Sequence, residues 1–191
     1  IIRPRGGDFL YTPLELERMT ADIDIARELG ADGVVFGCLR ADGTLDTEAN
    51  ALLMSHAKGM SVTFHRAFDR CANPQEALEE LIAQGFDRIL TSGQQPTALQ
   101  GTPLLRQLHA QAAGRITLLA GCGVNEGNIA TIARETGIGE FHFSARVAVK
   151  SAMTFSNPDV YMGAKGADEE SVDITSAERV RNTIAQLTCQ D

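Results

Sequence analysis

His65, Arg66 and Asp69 fall within one short stretch, Thr63-Phe64-His65-Arg66-Ala67-Phe68-Asp69, at the end of a segment that reads as a strand. A histidine in that setting can serve as general base, metal ligand or hydrogen-bonding anchor, and a neighbouring Arg and Asp supply charge to steer it. Thr63 and His65 share one face of the strand, while Val62 and Phe64 share the other, which suits packing against helices. Helix signals follow at once, with Asn73 as cap, Pro74 in the first turn and Glu76 near the third position. His65, Arg66 and Asp69 are the candidate catalytic residues.

A second set suits an anion. Arg3 and Arg5 alternate onto one face of Ile2-Arg3-Pro4-Arg5, with Asp8 following, and planar guanidinium groups fit a carboxylate or phosphate. Ser92 and Gly93 follow the strand 88–91. Gly121-Cys122-Gly123-Val124-Asn125 is a glycine loop opening a helix, where backbone N–H groups at a positive terminus can hold an anion. Ser144, closing the strand 140–144, joins it. The candidate anion-binding residues are therefore Arg3, Arg5, Asp8, Ser92, Gly93, Gly121, Gly123 and Ser144. The plainer alternatives are surface ion pairs for the arginines and a tight turn for the glycine loop.

These residues need elements to position them. Thr12-Pro13-Leu14-Glu15 is a capping box with Pro at the first helical position, and Gly30 ends that helix. Asp46 starts a second helix, Gly85 ends the one after Asn73, and Thr102-Pro103 begins a fourth that runs to Gly114. Asn125 caps a fifth over 126–136, and Thr175 with Glu178 marks a last helix over 176–187. Between them lie short apolar or β-branched runs at 34–36, 60–65, 88–91, 116–120 and 140–144. With 1–5 these make six strands, each followed by a helix. Alternation of this kind demands a parallel sheet, either doubly wound or closed as a (β/α)8 barrel. Either closure puts the site at the carboxyl ends of the strands, so His65 is expected near a barrel mouth. The chain is expected to be one domain over 1–191, with 145–174 an irregular loop. Residue 1 reads as the end of a strand already under way, so two further β/α units are expected upstream, and open sheet edges are expected to make this chain poorly soluble or self-associating.

The 191 residues carry a formal net charge of −8, which argues against nucleic acid as partner, and no apolar run is long enough for a membrane span. Cys38, Cys71, Cys122 and Cys189 form no C-x-x-C pair, and their wide spacing suits reduced cytoplasmic thiols. Lys58, Lys150 and Lys165 lie outside the expected strands, which disfavours a Schiff-base aldolase. His56 and His109 are expected on helix surfaces, and His142 as a structural residue in a strand.

The segments Arg3-Pro4-Arg5-Gly6-Gly7-Asp8-Phe9, Thr63 to Asp69, Leu90-Thr91-Ser92-Gly93 and Ala120-Gly121-Cys122-Gly123-Val124 together resemble the CutC family of copper homeostasis proteins. The resemblance covers nearly the whole chain. It implies a TIM barrel, here six of its eight β/α units, a cytoplasmic homodimer and copper as the bound metal, as Cu(I). It assigns no metal ligand here, because the family's proposed copper cysteines lie on strands before residue 1. A soft thiolate pair would suit Cu(I), and Cys38 with Cys122 at neighbouring strand ends is the one pair to test. The residues themselves favour a different reading, a barrel enzyme acting on a small anionic or phosphorylated metabolite.

Overall fold

The computed structural model describes residues 1–157, 159–164, 166 and 168–188, so Lys165 and Cys189 fall outside the described part. Ten elements build the core: α1 (Pro13–Glu28), β1 (Gly33–Phe36), α2 (Thr47–His56), β2 (Ser61–Phe64), α3 (Pro74–Gln84), β3 (Arg88–Thr91), α4 (Thr102–Ala112), β4 (Thr117–Gly121), α5 (Ile129–Thr136) and β5 (Glu140–His142). Local signals account for most boundaries. Thr12 and Glu15 form the capping box of α1. The side chains of Asp46 and Asn73 accept from the third backbone N–H of α2 and α3, and Gly85 closes α3 in the left-handed conformation.

The five strands pair in chain order, β1-β2-β3-β4-β5, all parallel. Consecutive helices pack against one another along the outside, from α1 to α2 and on to α5 with α6 (Ala177–Thr188). A doubly wound sheet would reverse its strand order and cover both faces. Neither occurs, so the sheet is an arc of a (β/α)8 barrel.

Register explains the core. Phe36, Phe64, Ile89 and Leu118 sit side by side across four strands and are all buried towards the helices. Phe86 wedges against Phe36 and Phe64 edge-on, with ring centroids 5.5 and 5.4 Å away. The alternate residues Val35, Thr63, Leu90 and Leu119 line the concave face and are only partly covered. Arg88 crosses that face to Glu140 at 2.8 Å, tying β3 to β5 over β4.

Several expectations are corrected. Residues 1–5 form no strand: Ile2 donates to the Val35 carbonyl at 2.8 Å, but the next N–H in that ladder would be Pro4's, and proline has none. The segment 145–174 is not irregular throughout. Its ends pair as an antiparallel ribbon, β6 (Arg146–Lys150) with β7 (Ser171–Thr175), which places Lys150 in a strand outside the barrel sheet. The fifth helix starts at Ile129 rather than 126, because Asn125 and Asn128 bond each other across a turn. Ser176, not Thr175, caps α6 by accepting from Arg179 N–H. His142 ends β5 and is exposed rather than structural in mid-strand, and His56 is half-buried on Asp24 rather than free on a surface. Among the described residues no helix is long and apolar enough to cross a membrane.

Candidate functional site

β2 delivers His65 to the carboxyl end of the sheet, where its backbone N–H bonds the Phe36 carbonyl at 3.2 Å. The side chain does not open onto the mouth as expected. It is 4% exposed, roofed by Phe9 with ring centroids 4.9 Å apart, and flanked by Phe64. Phe9 in turn carries the Arg3 guanidinium 4.7 Å above its ring. The aromatic ring between them has replaced an open mouth with a layered stack.

That burial defines the histidine's chemistry. Desolvation first, and the positive field of Arg3 second, hold the imidazole down to about 4, so it is neutral near pH 7. The Ala67 N–H donates to Nδ1 at 3.3 Å, which leaves the proton on Nε2. Among the described residues Nε2–H and Arg3 Nε are buried without a partner, and the Tyr11 hydroxyl is buried without an acceptor while the Arg3 guanidinium lies within its reach. Arg3 stands close enough to Tyr11 and His65 to influence the ionisation of both. His65 is therefore a hydrogen-bond donor rather than a base, and Arg3, Tyr11 and His65 each bring an unpaired donor to this region. Each unsatisfied buried group of this kind costs about 1–3 kcal/mol, and a ligand oxygen that accepts from them removes that cost.

The other catalytic candidates form a hub. The Asp69 carboxylate accepts from Arg66 Nε at 2.7 Å, Thr91 Oγ1 at 2.6 Å, Ser92 N–H at 3.0 Å and Gln94 N–H at 3.2 Å. It has no acceptor capacity left for substrate, so it holds the end of β3 to the 3₁₀ segment Arg66–Arg70. Arg66 also donates to Ser92 Oγ at 3.1 Å. Burial opposes its charge, but Asp69 outweighs burial and raises its pKa, with Cys122 adding to the effect. Arg66 and Asp69, candidates for catalysis, and Ser92, a candidate for anion binding, thus meet in one hub that ties the fold together.

Arg5 and Asp8 also leave the anion site. Arg5 Nε bonds Glu15 at 2.6 Å, Nη1 reaches Asp8 at 2.8 Å, and Nη2 bonds the Leu10 carbonyl at 2.7 Å. Every edge of the fork is spent on folding residues 5–15 into a strap. The turn that follows the glycine loop is tied by its asparagines. Asn125 N–H bonds the Asn128 side chain, Gly127 N–H bonds Asn125 Oδ1, and both asparagines donate to the Gly123 carbonyl. Gly93 is needed for close packing, since a Cβ there would lie 2.5 Å from the Gly101 carbonyl oxygen, and one on Gly121 would meet Leu90 at 2.6 Å. Ser144 is exposed and stands apart from the His65 stack.

Sequence reasoning passed over Phe9, Tyr11, Thr91 and Gln94. The available signal was two alternating aromatics, Phe9 and Tyr11, just past the Gly6-Gly7-Asp8 that follows the Arg-Pro-Arg run. Gln94 left none, because its role rests on a left-handed backbone (φ 56°) that the chain after β3 imposes.

The donors present do not fit a Cu(I) centre. Burial pushes the Cys38 thiol up to about 12 and the Cys71 thiol up to about 11, so neither offers thiolate near neutrality. Gln94 donates to Cys71 Sγ at 3.4 Å, and Cys122 Sγ–H donates to the Pro96 carbonyl at 3.1 Å. Cys38 and Cys122 are not neighbours as expected: they follow β1 and β4, three strand spacings or about 14 Å apart along the sheet. Among the described residues no group of three or more His, Cys, Asp or Glu side chains is placed to hold a metal.

Known proteins agree with this architecture. The CutC family model matches residues 1–147. A CutC family protein of Bacteroides thetaiotaomicron is 60% identical over 188 residues, which is 98% of this chain and 76% of the relative. One from Chromobacterium violaceum is 51% identical over 181 residues, covering 95% of this chain and 73% of the relative. A solved structure from Streptococcus agalactiae, named for copper homeostasis and CutC, superposes with a TM-score of 0.71 at 36% identity, covering 74% of this chain and 69% of that one. With the family model and these relatives spanning most of its length, the chain belongs to the CutC family.

Proposed function

We propose that this chain serves copper homeostasis in the cytoplasm, as a homodimer, by binding a small anionic ligand at the carboxyl ends of the barrel strands. The copper role is supported by the name of the Streptococcus agalactiae structure, and the compartment by the reduced, widely spaced cysteines. The anion reading is carried by one observation: Arg3 Nε, Tyr11 Oη and His65 Nε2 are buried together without acceptors. Phe9 must shift for a ligand to reach them, since it stacks on both His65 and Arg3.

The test follows the histidine. Titration with acetate as a probe anion, observed through the His65 ring nitrogens by NMR, should move Nε2 and leave His142 unmoved. Arg3→Gln should abolish the shift, and an unresponsive His65 in the wild type would reject the reading. A direct Cu(I) role is tested by competition with a chelator. The chain and a variant lacking all four cysteines are expected to compete equally, and loss of affinity in the variant would restore copper ligation by this chain. The second reading is an enzyme acting on a small anionic or phosphorylated metabolite. The neutral His65 favours it, since a fixed N–H donor can stabilise an oxyanion as charge develops.

A further inference from the structure

Beside the strap that carries Phe9 lies a separate cleft of about 590 Å3. Its lining includes the apolar Phe9, Leu10 and Leu39 and the charged Asp8, Arg40 and Arg70. Arg70 is exposed at the end of the 3₁₀ segment, and no carboxylate among the described residues pairs with it. Arg40 makes a long bond to Thr47 Oγ1 at 3.4 Å. Its charge also bears on Asp42, but that carboxylate is engaged by the hydroxyl and N–H of Thr44 at 2.7 and 2.9 Å. Asp8, the acidic residue in the lining, is bound to Arg5 at 2.8 Å. In a chain of net charge −8, two incompletely neutralised guanidinium groups facing one cleft make a local positive site.

The backbone holds the two arginines in fixed relation. Arg40 N–H bonds the Thr44 carbonyl at 2.8 Å, and Leu39 pairs with Leu45 across the same loop. Ala72 N–H then bonds the Gly43 carbonyl at 2.9 Å, which fastens the Arg40 loop to the segment that carries Arg70. Two arginines anchored on tied loops can bring their guanidinium groups to the oxygens of one phosphate, and the apolar lining suits an organic body.

We propose that this cleft binds a small organic phosphate monoester, with the phosphate between Arg40 and Arg70 and the carbon skeleton against Phe9 and Leu39. The cleft shares Phe9 with the His65 stack but draws its charge from different arginines. Calorimetric titration of the chain with phenyl phosphate, and with inorganic phosphate for comparison, tests it. Phenyl phosphate should bind several-fold more tightly than inorganic phosphate, because the wall recognises its ring. Arg40→Gln and Arg70→Gln should each weaken binding about tenfold, the effect of losing a charge-assisted hydrogen bond. Both residues are exposed, so unchanged circular dichroism and unfolding midpoints should show that the variants fold. Arg40→Gln and Arg70→Gln should both keep the acetate response of His65, which separates this site from the Arg3, Tyr11 and His65 donors. Binding equal to wild type in both cleft variants, loss of the His65 acetate response in both, or no saturation at millimolar phenyl phosphate would each overturn the proposal.

Discussion

At the scale of single residues, burial has turned a candidate base into a fixed donor. The His65 pKa is about 4 in the fold against 6.5 for an ordinary histidine, so the unfolded chain binds more protons between those values. Stability from the neutral ring is therefore complete above pH 6.5 and lost as pH falls through 4. The loss is on the order of 3 kcal/mol. Urea unfolding across that window should show this acid limb in the wild type and a flatter one in His65→Gln. An unchanged limb would assign the acid sensitivity to other groups. Asp69 makes the opposite case, a carboxylate whose worth lies in the donors it satisfies. Asp69→Asn turns one acceptor oxygen into an amine facing Arg66 or the β3 end. It should lose about 2–3 kcal/mol, discounted from a fully buried pair because Arg66 is 42% exposed. Denaturant midpoints at neutral pH measure it.

At the scale of elements, local chemistry and close approach divide the work. Asp46→Ala removes a side chain that accepts from Ala49 N–H, and should cost about 1 kcal/mol of stability. Gly101→Ala should do more damage, because its Cβ would sit 1.8 Å from the Ser92 carbonyl oxygen and push α4 off the end of β3. A loss of at least about 3 kcal/mol is expected, at the upper end for overpacking. Near-wild-type stability in Gly101→Ala would mean that α4 can slide. Asp46 was legible as a cap from the sequence. Gly101 was not, because a tight contact between two loops leaves no periodicity or capping pattern to read.

For the whole molecule, the open arc matters most. Among the described residues β5 pairs with β4 alone, and β1 has on its outer side only the single bond from Ile2. Exposed ladder groups of this kind recruit other chains. The ribbon adds exposed apolar residues, including Val149, Val172 and Ile174. Sedimentation equilibrium of this chain should show self-association that grows with concentration, in keeping with the proposed dimer. A monodisperse monomer across the accessible range would contradict it.

By itself the sequence determined the repeat of strand and helix, the caps at Thr12, Asp46 and Asn73, the left-handed stop at Gly85 and the family signature around His65. These depend on spacing and on local hydrogen bonds, which neighbours in the chain can make on their own. Only the tertiary structure decided what the polar residues do. Arg5 and Asp69 looked like ligand handles and became internal ties, because partners distant in sequence, Glu15 and Ser92, consume their hydrogen bonds. Whether a buried polar atom is satisfied depends on those partners, which is why the unpaired donors of Arg3, Tyr11 and His65 emerged only when the chain had folded around Phe9.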